Sequence, residues 1–373
     1  MTFAVVRFAA PPAGLYGTPP TAAPSRSAGS AVDVRMVTLI DDIVGELEAS
    51  APIGAPPGTW QDSTGCFRCD AGPALALAGA AAVTGDPARR NRAEDIFDEM
   101  IWAHQRPSGA FGPDERTAGI DTMFFAAELG IATVVLGADL DELHRAAWAK
   151  SVASAADFLI QGGHLAWYAN GNIAIGNTLV MALAARLTHD ARYDGRYEQA
   201  LEFAIHPPQG RWPKAGLTVT REPTRKDGSD GKAFFSEAGE ANQPGYDPEY
   251  TMLQLDQLTR IFLVNGDPRI LRAMNMLTNQ LMDRLDATKW RLDTSGGTRM
   301  SQTPRSVPFD SAGPLVLVEA GGRPDLERYQ DSLLTAIERN FLRSATAFGD
   351  RMKYALGMTC ASIIMSQPSW RRP

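Results

Sequence analysis

The sequence predicts an all-α chain closed into an (α/α)6 toroid of six helix pairs, with a small β-hairpin insertion. Three observations carry that expectation. A short linker recurs as Gly85-Asp86-Pro87, Gly137-Ala138-Asp139, Thr188-His189-Asp190, Gly266-Asp267-Pro268 and Gly321-Gly322-Arg323-Pro324. Each copy follows an apolar, Ala-rich stretch and precedes a more charged, amphipathic one, the mark of a repeated helix pair. Connections between pairs are long, whereas those inside a pair take three or four residues.

The elements follow in order. Residues 8–32 are rich in Ala, Pro, Ser and Gly, so 1–33 read as a disordered leader. Arg7 interrupts the short apolar start, no signal-peptide core follows, and Met36 is a candidate start. The cytoplasm is therefore the expected compartment. The first helices of the pairs fall near 72–84, 121–136, 172–187, 248–265 and 310–320, and the second near 88–106, 140–161, 190–206, 268–286 and 325–343. Where the linker carries them, Gly ends one helix in a left-handed cap, Asp caps the next, and Pro fits its first turn. A helix over 350–366 is left without a partner, and the one over 34–49 supplies it. Helices apolar nearly all round belong inside, and one-sided helices outside. An open solenoid would need polar capping helices at its ends. The last helix, with Tyr354, Leu356, Met358, Ile363 and Ile364, is too apolar for that. Residues 34–373 thus read as one toroid domain.

The long connections, 50–71, 107–120, 162–171, 207–247 and 287–309, all emerge at one end of such a ring. Long loops on a rigid scaffold are where function collects. The largest, 207–247, holds a hairpin around 218–220 and 233–235 and reads as a lid.

Composition narrows the function. Hydrophobic residues are 44% and charged residues 21%, ordinary for a soluble globular chain. A net charge of −7 disfavours nucleic acid as partner. No apolar run is expected to reach the ~18 residues that cross a bilayer, so no membrane partner is expected. The chain reads as a monomer or small homo-oligomer. Cys66, Cys69 and Cys360 are too few and too oddly spaced for a disulfide framework or a zinc cluster. No metal and no cofactor is expected.

The candidate chemistry lies on the long-loop side. Trp167-Tyr168-Ala169-Asn170-Gly171-Asn172 packs aromatic, amide and glycine residues at the start of an inner helix, with Asn177 one turn in. Helix capping accounts for one Asn, and two exceed it. Gly245-Tyr246-Asp247-Pro248-Glu249-Tyr250 places Asp247 as cap and two tyrosines about a helix N-terminus, which favours negative charge. His164 sits six residues before Asn170, while His206 opens the 207–247 insertion. Asp121 and Asp310 start inner helices, as ordinary caps do. The 287–309 loop carries Lys289, Arg291, Arg299 and Arg305 against Asp293 alone, and Arg68 lies in the first long loop. A cationic loop on an acidic chain points to an acidic ligand. Trp60, Phe111, Trp167, Trp212 and Trp290 offer faces on which sugar rings stack.

The helix pattern and the two motifs resemble the (α/α)-toroid polysaccharide lyases that cleave uronic-acid polymers, the alginate and glucuronan lyases above all. The resemblance covers about residues 36–366. It implies that a Tyr and often a His act as base and acid while an Asn, Gln or Arg neutralises the uronate carboxylate. By position, Asn170 or Asn172 would neutralise, His164 would assist, and Tyr246 or Tyr250 would move the proton. Trp167, Tyr168, Arg68, Asp121, Trp212 and Arg299 would hold an acidic oligo- or polysaccharide. The expected activity is therefore β-elimination. The alternatives are a hydrolase like the unsaturated uronyl hydrolases, pairing Asp121 with Asp247 or Glu249, and a non-catalytic carbohydrate-binding toroid.

Overall fold

The computed structural model describes residues 31–49, 67–112, 118–238, 244–299, 306–309, 311–319 and 321–342, together with 359 and 362. Of some helical residues, Arg68 and Cys69 among them, only the backbone is described. Cys66, Trp60, Asp310, Arg305 and Cys360 lie outside the described residues.

Two concentric sets of helices make the ring. The inner set is α2 (Phe67–Thr84), α4 (Ala118–Leu136), α6 (Gly171–Thr188), α8 (Pro248–Asn265) and α10 (Gly313–Glu319). The outer set is α3 (Pro87–His104), α5 (Glu142–Gln161), α7 (Arg192–Ile205), α9 (Pro268–Met282), α11 (Gln330–Leu342) and α1 (Ala31–Ala49). Inner helices pack in sequence, α2 on α4, α4 on α6, α6 on α8 and α8 on α10. Burial follows the predicted division. α6 is buried without interruption from Gly171 to Ala184. α7 buries only one stripe, Tyr193, Tyr197, Ala200, Leu201, Phe203 and Ala204, as a one-sided helix must. α1 packs on both α2 and α11, and Arg35 pairs with Asp331, so the two ends of the helical body meet. Of the inner helix expected over 350–366, only Thr359 and Ser362 are described, and both are helical and buried.

The caps behave as their chemistry requires. Asp86 accepts from the Ala88 amide and Asp267 from the Arg269 amide, each at 2.8 Å, and Gly266 ends α8 at φ 69°. Two linkers differ. Asp139 falls in a 3-10 turn, and Asp141 caps α5 instead. His189 takes the left-handed cap of α6 at φ 56°. α1 begins at Ala31, three residues inside the stretch read as leader. α4 also corrects the expectation that no apolar run reaches membrane-spanning length. Ala118–Asp139 is long and apolar enough, and 83% of that window is buried inside the ring. An inner helix surrounded by other helices has the same composition as a bilayer span.

The 207–247 insertion contains the expected hairpin, β1 (Leu217–Arg221) against β2 (Lys232–Phe235). It also carries β3 (Glu237–Ala238) and β4 (Pro244–Gly245). A third, unexpected sheet joins β5 (Leu285–Asp286), β6 (Arg291–Asp293) and β7 (Ser306–Pro308). The insertion is fastened to α9. Asn275 donates to the Asp227 carbonyl at 2.9 Å, Asn279 donates to the Ser229 and Gly231 carbonyls at 2.9 and 2.8 Å, and Lys232 reaches Asp283 at 2.6 Å. A lid that swings would have to break all of these.

Candidate functional site

The inner helices run parallel, so all start at one rim, and the starts of α4, α6 and α8 adjoin there. His164 lies in a 3-10 turn just before α6. Its ring fits between two glycines. A Cβ on Gly119, at the start of α4, would stand 2.6 Å from Nδ1, and one on Gly162 would stand 2.6 Å from Nε2. Its carbonyl accepts from Asn177 Nδ2 at 3.0 Å, which ties the turn to α6. Burial holds the imidazole below its ordinary pKa, so it is neutral near pH 7.

From His164 a ladder of rings leads outward. His164 stacks on Trp167 with centroids 5.4 Å apart and planes 13° from parallel. Trp167 stacks on Tyr168 at 6.4 Å and 20°. Trp167 is 51% exposed and Tyr168 41%, so the ladder ends on an open aromatic face. The other aromatic candidates do something else. Phe111 is fully buried against Phe125, and Trp290 is packed against Phe309 and Tyr329. Both are core residues. Trp212 is half-buried, with the Arg211 guanidinium over its ring.

The start of α6 departs from the capping expectation. Asn170 occupies the cap position, and its side chain makes no capping hydrogen bond. A carboxylate from the insertion does that work. Glu237 Oε1 accepts from the Asn172 amide at 2.7 Å and from Gln254 Nε2 on α8 at 2.9 Å. Gly171 makes the close approach possible, since a Cβ there would meet Phe235 at 2.5 Å and Gln254 at 2.6 Å. Asn172 is buried, and its Oδ1 has no hydrogen-bond partner among the described residues, nor do Glu237 Oε2 and Gln254 Oε1. Burial pushes the Glu237 carboxyl up to about 7, although the Asn172 amide, Gln254 and Arg299 pull it down.

At α8 the two tyrosines part company. Tyr250, half-buried, has the Arg299 guanidinium over its ring at 4.7 Å, and Arg299 Nη2 donates to its hydroxyl at 3.2 Å. Arg299 is anchored by its amide, which donates to Asp247 Oδ2 at 2.8 Å. Asp247 Oδ1 accepts from the Tyr250 amide at 3.0 Å, so the predicted cap is real and both its oxygens are used. Tyr246 is packed elsewhere, against Phe234 and beneath Arg284. Burial pushes its phenol well above the ordinary value, the wrong direction for a base. Asp121 sits in the first turn of α4, 5% exposed. His206 caps the C-terminus of α7 on the outer ring. The side chain of Arg68 lies outside the described residues.

The structure thus brings His164, Trp167, Tyr168, Asn172, Tyr250 and Arg299 to one rim. Glu237 and Gln254 were missed in the sequence. The signal for Glu237 was faint, an acid two residues after the apolar Ala233-Phe234-Phe235 in an insertion otherwise full of balanced charge.

No protein-family model matches this chain. No curated protein matches it either. Solved structures do. A family 76 glycoside hydrolase from a bovine Bacteroides thetaiotaomicron strain superimposes with a TM-score of 0.53 at 10% identity, over 89% of this chain and 77% of that one. A D-mannose isomerase superimposes with a TM-score of 0.56 at 12% identity, over 91% of this chain and 100% of that one. Both establish the (α/α)6 toroid. Both are carbohydrate enzymes by name, and neither is a lyase.

Proposed function

We propose that this rim is the active site of a carbohydrate-active enzyme that cleaves a uronate-containing oligo- or polysaccharide by β-elimination. One observation carries the reading, namely which groups at the rim can reach a substrate. Among the described candidates, the accessible ones are the His164 imidazole, the Trp167 and Tyr168 rings, the Asn170 side chain, the Tyr250 phenol and the Arg299 guanidinium. The described carboxylates at these helix starts are withdrawn, with Asp121 5%, Glu249 6%, Asp247 0% and Glu237 0% exposed. A hydrolase needs two carboxyl groups at opposite sides of the glycosidic bond. Elimination needs an unprotonated base, a group that neutralises the carboxylate, and a proton donor.

The rim supplies each. Arg299, with the side chain of Asn170, which makes no capping bond, faces the uronate carboxylate and stabilises the charge that moves onto it as the C5 proton leaves. His164, kept neutral by burial, takes that proton. The electron pair forms the C4–C5 double bond, the C4–O bond breaks, and the departing oxygen takes a proton from Tyr250. Arg299 donates to that same phenol oxygen, which stabilises the negative charge left there. Trp167 and Tyr168 supply stacking faces for the sugar rings.

Glucuronan and alginate are the test substrates, read in the ultraviolet for the unsaturated product. New reducing ends without that chromophore would replace the lyase by a hydrolase, and binding without turnover would leave a carbohydrate-binding toroid. A second reading, aldose–ketose isomerisation, is favoured by the match over the whole length of a D-mannose isomerase. It too starts by removing a proton from a carbon next to a carbonyl, and ketose formed from mannose would identify it.

A further inference from the structure

Glu237 has no part in the reaction drawn above, yet it is tied to three separate elements. Its Oε1 holds the Asn172 amide of α6 and Gln254 of α8. Its own carbonyl accepts from Thr298 Oγ1 at 2.8 Å. The next carbonyl, that of Ala238, accepts from Arg299 Nη1 at 3.2 Å. The two-residue strand β3 is therefore the joint between the start of α6, the flank of α8 and the loop that lays Arg299 on Tyr250. A helix start needs no distant carboxylate, because its own cap residue does that work. Here the cap residue Asn170 does not, and the acceptor comes from 65 residues away.

We propose that Glu237 is the positioning residue of this site, holding the start of α6, with its Asn170 side chain, and Arg299 in the one arrangement that lets both meet the same substrate carboxylate. The inference rests on reading this rim as the active site. The charged groups facing Glu237 are Arg299, from the loop after β6, and Asp247, at the head of α8. From α6 it meets only the neutral Asn172 amide, and from the body of α8 only the neutral Gln254. Burial outweighs the Arg299 charge and raises the carboxyl. The joint is thus divided between its neutral and charged forms near pH 7.

The test uses the full chain with Glu237→Gln and Glu237→Ala, reading backbone hydrogen exchange and steady-state kinetics together. Glutamine keeps an acceptor for the Asn172 amide and Gln254. Protection at 171–174 and at 294–299 should stay at the wild-type level, and kcat/KM at pH 7 should stay within about threefold. The variant should also lose whatever step the wild-type pH profile has near 7. Alanine should unprotect both segments together and raise KM for a uronate oligomer about tenfold or more, while α2 and α4 stay protected. Loss confined to 171–174, no loss at all, or equal damage from both substitutions would overturn the proposal. Should the alanine variant not fold, Thr298→Val cuts the shorter of the two links from β3 to the Arg299 loop. A raised KM with 171–174 still protected supports the joint, and an unchanged KM overturns it. A wild type that turns over no sugar would end the lyase reading, while the exchange measurements would still decide the positioning role.

Discussion

Glutamine at position 237 also tests the burial argument by thermodynamics alone. The carboxyl rises from an ordinary 4.5 to about 7, with burial the largest cause. A group raised in the folded state binds more protons there than in the unfolded chain. Its contribution to stability is complete below 4.5 and is lost as pH climbs through 7. At about 1.4 kcal/mol per pH unit, the wild type loses about 3 kcal/mol through this one residue between pH 4.5 and 8. That figure is an upper one, since any water reaching Oε2 reduces it. Glu237→Gln has no charge to bury and adds a donor where Oε2 has no partner among the described residues. Urea denaturation of both proteins at pH 5, 6, 7 and 8 reads the difference. The variant should gain on the wild type progressively across that range and level off above 7, ending about 2–3 kcal/mol ahead. Other titrating groups, His164 and Asp256 among them, are common to both proteins and cancel. Parallel curves from pH 5 to 8 would refute the claim that Glu237 is buried against its charge.

Three further outcomes follow from the geometry. The His164 imidazole should titrate below 6.5 by NMR, because burial disfavours its charged form; its share of stability is then present above 6.5 and lost as pH falls toward the folded-state midpoint, and a midpoint above 6.5 contradicts this. Trp167→Ala should leave stability within about 0.5 kcal/mol, since the ring is 51% exposed, but should weaken oligosaccharide binding about tenfold, as titration calorimetry would read. Asn279→Ala removes two donations to the 229–231 turn and the acceptor for Arg323; a loss of about 2–3 kcal/mol is expected, together with proteolytic nicking near 225–231, and an insertion still resistant to protease would mean that the Asn279 bonds are not what hold that turn.

What the sequence made legible was whatever depends on neighbours a few residues apart. The Gly266-Asp267-Pro268 linker determines one helix end and the next helix start by itself, because a left-handed cap, a side-chain acceptor and a fixed φ act within three residues. The apolar surround of α6 marks an inner helix for the same reason. The placement of Tyr246 and Tyr250 was beyond that reach. They stand four apart, which in a helix would put them on one face. Asp247, the cap between them, is in extended backbone at φ −129° and ψ 112°, so helical phase begins only after it and Tyr246 turns toward α9. The aromatic candidates differ by the same kind of distant cause. Trp290 and Phe111 lie on long connections, but those connections fold into the ring and bury them, whereas Trp167 projects because the turn before α6 is braced on His164. Glu237 is the extreme case. Its partners lie 65 residues before it and 17 after, and only the apolar run before it sets it apart from the solvated acids around it. A carboxyl becomes chemically unusual through what surrounds it, and here the surroundings come from three elements that the chain brings together only when the ring is complete.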